Sequence, residues 1–184
     1  MSDLFENCLL KTARLLLRPY APDDAISLQR IASDPRVLEH LPDDPLSLEQ
    51  VKDIIEWSMN CHKKNTKEKL YKLNLSILSI ETGELIGWCG LGPADWDTEQ
   101  TEIYYAIAFE HWGKGLASEA ARSLRDHAIK NIGLQSLVGI AAQANTASNR
   151  VLQKLGMKSN GQLTTPPEGC DPYFLGQNLY SLTD

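Results

Sequence analysis

Apolar residues along the chain change their spacing several times, and each change sets the boundary of an element. Leu15 and Leu17 share one face of a first strand over residues 14–18, which Pro19 stops. Ile26, Leu28, Ile31 and Ala32 then follow helical spacing, with Pro22-Asp23-Asp24 offering a cap and Asp34-Pro35 an end. Ser47 and Gln50 form a capping-box pair ahead of the stripe Leu48, Val51, Ile54, Ile55 and Met59, and this second helix fades in the polar turn at 63–69. Residues 70–80 and 85–91 read as an antiparallel pair about the turn 81–84, and 92–101, with Pro93, reads as a loop.

The middle of the chain carries the sharpest change. Residues 101–109 are rich in β-branched and aromatic side chains, whereas Leu116, Ala117, Ala120, Ala121 and Leu124 fall on one face of a helix that closes at Gly133. A short apolar strand at 137–142, a helix at 145–155 and two closing strands at 157–163 and 173–182 follow, the last two separated by a Pro-containing loop at 164–172. The order β-α-α-β-β-β-α-β-α-β-β predicts an α/β fold of the α+β kind, a mixed sheet with helices on both faces. At 184 residues and 42% hydrophobic content this is one domain spanning 1–184.

Between that strand and helix stand Gly113-Lys114-Gly115. A helix begun by such a turn leaves several backbone N–H groups unpaired at its positive end, with no Cβ on the glycines to hold an anion away. This is the architecture of a phosphate site; Lys114 in the turn is either an added charge for it or a solvated surface lysine. The spacing argues against two common ligands, which drop to minor alternatives. No glycine stands at 108 and Gly115 follows Lys114, against a nucleoside-triphosphate loop, and Ser118 occupies the place where a dinucleotide fingerprint has Gly or Ala.

The net charge of −6 and pI of about 5.2 come without clusters of Lys and Arg, which argues against nucleic-acid binding and suits a cationic acceptor such as an amine. Cys8, Cys61, Cys89 and Cys170 form no C-x-x-C, and His40, His62, His111 and His127 have no ligand spacing, so no metal site is expected. With no apolar run of membrane-spanning length and no leader, the expectation is a cytoplasmic protein without membrane contact, as monomer or homodimer.

Trp112-Gly113-Lys114-Gly115-Leu116-Ala117, followed by Glu119-Ala120, resembles the acyl-CoA pyrophosphate loop of the GNAT superfamily of N-acetyltransferases, in its ribosomal-protein N-terminal (RimJ/RimL-like) branch. Asn145-x-x-Ser148 and the Lys154-Leu-Gly156-Met157 that closes the next helix resemble that branch's second motif, and Thr12-Ala-Arg14 extends the likeness to the start of the chain. The resemblance implies a central, mostly antiparallel sheet of six to seven strands. It implies acetyl-CoA as co-substrate, its pyrophosphate on Trp112, Gly113, Lys114, Gly115, Leu116 and Ala117. Its pantetheine would pair with main-chain groups near Ile107 and Ala108 where the strand parts from 137–142, and Asn145 would hold the arm from the other side. Read from the residues alone, Asn145 is equally a helix N-cap.

For the chemistry, Glu102 shares a strand face with Tyr104, Ala106 and Ala108 and matches the branch's acidic residue, which makes it the candidate base. A cross-strand ion pair or a solvated edge are the bland readings, and Asp97 or Glu99 are substitutes acting through water. Ser148, with Tyr105 behind it, is the candidate donor to the departing sulfur, the bland readings being a Ser in the first turn of a helix and a packed strand Tyr. Tyr104 stands where the branch usually has Gly and bears on how open the acceptor channel is, and the turn at 63–69 and the loop at 164–172 are expected to border it. A protein α-amine has a pKa of about 7.7 to 8.0 against about 10.4 for lysine, so freeing a lysine amine costs about 3.5 kcal/mol more at neutral pH. The expected reaction is therefore acetyl transfer to a primary amine, a protein N-terminal α-amine foremost, with a small amine such as an antibiotic or polyamine, or a CoA-binding module without turnover, as alternatives.

Overall fold

The computed structural model describes residues 4–42, 44–165 and 167–183. Eight strands form one sheet in the order β1-β2-β3-β4-β5-β6-β8-β7, with β1 at Leu10–Lys11, β2 at Leu15–Pro19, β3 at Leu73–Ser79, β4 at Leu85–Ala94, β5 at Asp97–Ile107, β6 at Ser136–Ala141, β7 at Lys158–Gln162 and β8 at Asn178–Thr183. Every neighbouring pair is antiparallel except β5 and β6, which run parallel. The count exceeds the six to seven expected, and the two-residue β1 at the sheet edge is too short to leave a period in the sequence.

Five helices cover the sheet: α1 at Ala25–Ala32, α2 at Pro35–Leu38, α3 at Leu48–Lys64, α4 at Leu116–His127 and α5 at Thr146–Lys154. The Ser47 hydroxyl and Gln50 cap α3 reciprocally, as the sequence predicts. Asp34-Pro35 ends α1 but also starts α2, because Asp34 accepts the Arg36 N–H and Pro35 takes the first helical position, where no N–H is needed. Leu28, Ile31, Val51 and Ile55 of α1 and α3 pack with Leu85 and Ala108 on one face of the sheet. Leu116, Ala120, Leu124, Val151 and Leu152 of α4 and α5 pack with Leu15, Leu75, Ile77 and Ile103 on the other. Complete burial of a Leu or Ile side chain stabilises by about 1.5–3 kcal/mol, and Leu17, Leu73, Leu75 and Ile77 each show no exposed surface.

The expected loop at 92–101 is instead the tip of a long hairpin. Pro93 pairs with Thr101 and Ala94 with Asp97, and residues 95–96 make the turn. Proline is tolerated because β3 begins at Leu73, opposite Leu91. The edge of β4 that lacks the Pro93 N–H thus has no neighbour to receive one. Trp96 at the tip lies at 2% exposure against Phe174, in a third cluster with Ala94 and Val138.

Candidate active site

β5 carries the centre of the site. Glu102, Tyr104 and Ala106 are the cross-strand partners of Gly92, Gly90 and Trp88 on β4, so they share the face that looks toward α1 and α3. Ile103 and Ile107 point into the opposite core. The Ala108 N–H donates to the Ile86 carbonyl at 2.8 Å, which fixes the alternation: even residues bond to β4, and the main-chain groups of Tyr105 and Ile107 face the other edge. On that edge the ladder with β6 holds at the pair Glu102 and Val138 and then stops, so the two strands diverge beside Tyr105 and Ile107.

The structure distributes the two strand residues predicted for the pantetheine differently. Both main-chain groups of Ala108 are engaged, its N–H by Ile86 and its carbonyl by the His111 N–H at 2.9 Å. The Ile107 carbonyl accepts the Trp112 indole N–H at 2.6 Å, leaving the Ile107 N–H toward the gap. Trp112 in turn stacks on Phe109, ring centroids 5.1 Å apart.

The glycine turn has the conformation its composition requires. Gly113 and Gly115 have φ of +73° and +75°, and nothing but the Arg14 guanidinium, at 3.8 Å, comes within 4 Å of a Cβ placed on either. From Gly113 to Ser118 the backbone N–H groups meet no acceptor among the described residues; the first to do so is Glu119, at the Gly115 carbonyl. Lys114 turns back to donate to the Glu110 carbonyl at 2.9 Å rather than reaching over the turn. A support unread in the sequence lies beneath: Glu119 accepts from the Thr12 hydroxyl at 2.6 Å, the Arg14 N–H at 2.9 Å and Arg14 Nε at 2.7 Å, while Arg14 Nη1 donates to the Lys114 carbonyl at 3.0 Å. Burial pushes the Glu119 carboxyl up, yet these hydrogen bonds outweigh it and hold the group below its ordinary range.

Across the gap, Asn145 caps α5 by accepting the Ser148 N–H at 2.9 Å. The Tyr105 hydroxyl spans from β5 to α5, 3.1 Å from the Ser148 carbonyl and 3.0 Å from Ser148 Oγ, so the two predicted donors meet. Burial raises the Tyr105 hydroxyl pKa and keeps its proton in place. Asn149, another residue with no local signal to single it out, donates to the carbonyls of Ala142 and Asn145 and accepts from Asn178 and the Tyr180 hydroxyl.

A cleft of about 840 Å³ connects these parts, running from the glycine turn past the gap to Glu102 and on to a wall made by Val51, Ile54 and Trp57 of α3. Tyr173 and Phe174 close its far side, where the Tyr173 hydroxyl donates to the His40 carbonyl. Neither the turn at 63–69 nor the described part of the loop at 164–172 lines it, and Pro166 in that loop lies outside the described residues. The Glu102 carboxyl has no hydrogen-bond partner among the described residues. Burial pushes its carboxyl up to about 8, with the Lys72 ammonium opposing and the Asp95 carboxylate adding to the rise. Such a group exchanges a proton with an amine of similar pKa at almost no cost. Among the described residues no cluster of His, Cys, Asp and Glu is arranged to hold a metal ion, and no helix is long and apolar enough to cross a membrane.

A family model described as an acetyltransferase (GNAT) domain matches residues 14–158. The uncharacterized N-acetyltransferase p20 of Bacillus licheniformis is 32% identical over 155 residues, 84% of each chain. The FsC-acetyl coenzyme A-N(2)-transacetylase of Aspergillus fumigatus is 26% identical over 186 residues, 95% of this chain and 75% of that protein. In fold, RimL, a ribosomal L7/L12 α-N-protein acetyltransferase solved in complex with coenzyme A, superposes with a TM-score of 0.77 over 96% of this chain and 98% of its own, at 16% identity.

Proposed function

The chain belongs to the GNAT acetyltransferase family and is an acetyltransferase, and from that premise we propose that it moves the acetyl group of acetyl-CoA onto a primary α-amine, that of a protein N-terminus foremost, by direct attack in a ternary complex. The observation that carries the reading is Glu102, an unpaired carboxyl on the cleft wall beside the split between β5 and β6. The residues fit the co-substrate. Unpaired N–H groups from Gly113 to Ser118 suit a diphosphate, and the diverging strands leave the Ile107 N–H open to an amide. When bound, acetyl-CoA supplies a thioester carbonyl and a thiolate leaving group.

The chain's own residues do the rest. Glu102 takes a proton from the acceptor ammonium, and the matching of its pKa of about 8 to an α-amine at about 7.7 to 8.0 favours that acceptor over lysine at about 10.4. The freed nitrogen bonds to the carbonyl carbon as the carbon–sulfur bond breaks, the sulfur takes the Ser148 hydroxyl proton, and the proton shed by the new amide nitrogen replaces it on Ser148 Oγ, which Tyr105 Oη adjoins at 3.0 Å. A small-molecule α-amine is the second reading. It is supported by likeness to the Aspergillus N(2)-transacetylase along 95% of this chain and by the Tyr173 contact that bridges the cleft.

Glu102→Gln keeps the shape of the site and removes the base. Its kcat/KM for an N-terminal peptide or small α-amine should fall by about 10²- to 10⁴-fold, while the calorimetric Kd for CoA stays the same. Unchanged turnover in this variant excludes Glu102 as the base.

A further inference from the structure

Two glycines on β4 carry side chains that the reaction above leaves unassigned. A Cβ on Gly90 would stand 2.3 Å from Tyr104 Oη, and one on Gly92 would stand 2.3 Å from Lys72 Cδ. Both distances are far inside van der Waals contact, so the Tyr104 ring and the Lys72 stem lie flat across the strand where any larger residue would exclude them. Gly92 is the partner of Glu102 and Gly90 that of Tyr104, so Lys72 crosses the strand next to Glu102. Its ammonium ends 4.9 Å from the Tyr104 ring centroid and forms no ion pair among the described residues. Tyr104 is fixed from the other side by its hydrogen bond of 2.5 Å to Asn74 Oδ1, and the Asn74 N–H donates to His62 Nε2 at 3.0 Å. Lys72, Asn74, Glu102 and Tyr104 all line the cleft.

We propose that Lys72 is a positioning residue of the active site: seated on Gly92 and over the Tyr104 ring, it holds a fixed positive charge beside Glu102 that governs how readily the carboxyl ionises. The inference rests on Glu102 as the base. A cation over an aromatic face is attracted by the ring and needs no counter-ion to stay there, which leaves its field directed at the carboxyl. The other ionisable groups that interact with Glu102 are Asp95 from the hairpin turn and the Tyr104 and Tyr105 hydroxyls from its own strand. Across the cleft stand His40 and Arg36, the latter engaged by Asp34 at 2.6 Å and Glu110 at 3.3 Å. His111, Arg150 and Lys154 stand on the loop before α4 and on α5. Lys72 is the cation that shares the β4 surface with the base.

The test reads the carboxyl directly, by isotope-edited NMR titration of Glu102 in the wild type, Lys72→Met, Lys72→Arg and Gly92→Ala. Lys72→Met should move the Glu102 midpoint to higher pH, and Gly92→Ala should move it the same way by driving the lysine stem off its shelf. Lys72→Arg should restore most of the wild-type value. In turnover the acidic limb of the kcat/KM profile should follow, costing about three- to tenfold at pH 7 with the alkaline plateau retained. A midpoint that stays put in both Lys72→Met and Gly92→Ala overturns the proposal. Glu102→Gln separates the two readings. If it keeps the acidic limb, the base assignment fails, and the titration still decides whether Lys72 acts on the carboxyl.

Discussion

Two enclosed carboxylates in this protein have opposite fates, and their partners explain why. Asp24 accepts from both terminal nitrogens of Arg18 at 2.7 Å, from the Ala21 N–H at 2.9 Å and from the Ser76 hydroxyl at 2.8 Å, and these outweigh burial to hold it below its ordinary range. The Glu102 carboxylate accepts no hydrogen bond among the described residues, and burial lifts it to about 8. The sign of the stability effect follows. In the unfolded chain Glu102 ionises near 4.5, so between there and 8 the unfolded state holds the charge that the folded state resists, and stability declines as pH rises. The difference in urea unfolding free energy between wild type and Glu102→Gln should therefore move against the wild type from pH 5 to pH 8 and level off above. A flat difference across that range means that Glu102 titrates normally. The environment that makes the carboxyl a competent base is thus a cost to the fold.

At the scale of elements, the unit from β5 through the glycine turn to α4 performs the binding, and its backbone is specific. Gly115 sits at φ +75° with nothing nearer than the Arg14 guanidinium, at 3.8 Å, to a Cβ placed on it, so Gly115→Ala meets backbone strain of about 1–2 kcal/mol rather than a steric clash. Relaxing that strain shifts the turn and spoils the aim of the N–H array, so the calorimetric Kd for CoA should rise about tenfold while thermal stability changes little. An unchanged Kd would remove the turn from the binding site. This unit was legible in the sequence because the period changes from strand to helix across two glycines, and so was the capping box of Ser47 and Gln50. Other features were hidden for identifiable reasons. Pro93 reads as a strand breaker unless it is known that β3 has ended alongside it. Asp34-Pro35 signals both a stop and a start. The support of the turn by Thr12, Arg14 and Glu119, and the shelf under Lys72 and Tyr104, join residues far apart in the chain, and no local pattern records such contacts. Ser148 and Tyr105 could be proposed separately, whereas their meeting at 3.0 Å required the fold.

For the whole molecule, the sheet is nearly two sheets. β1 to β5 form one antiparallel run and β6 to β8 another, joined by the parallel pairing at Glu102 and Val138. What keeps the opening at a fixed width is α5, which reaches across it: Tyr105 of the first run meets Ser148 on the helix, and Asn149 on the next position ties the same turn to the second run. Asn149 is 9% exposed and satisfies both ends of its amide, donating to the carbonyls of Ala142 and Asn145 at 2.8 and 2.7 Å and accepting from Asn178 and Tyr180 at 2.8 Å each. Asn149→Ala would leave the Tyr180 hydroxyl and the Asn178 amide N–H without their acceptor, while the Ala142 and Asn145 carbonyls keep the N–H groups of Asn145 and residue 149, a loss of about 2–4 kcal/mol in unfolding free energy from two orphaned groups at about 1–3 kcal/mol apiece. Because the clamp also fixes how far α5 stands from β5, the same variant should bind CoA more weakly even at temperatures where it is fully folded, which calorimetry well below its Tm would measure. Lost stability with unaltered CoA affinity would place the clamp in the core alone and leave the gap to be held by the packing of α4 against α5.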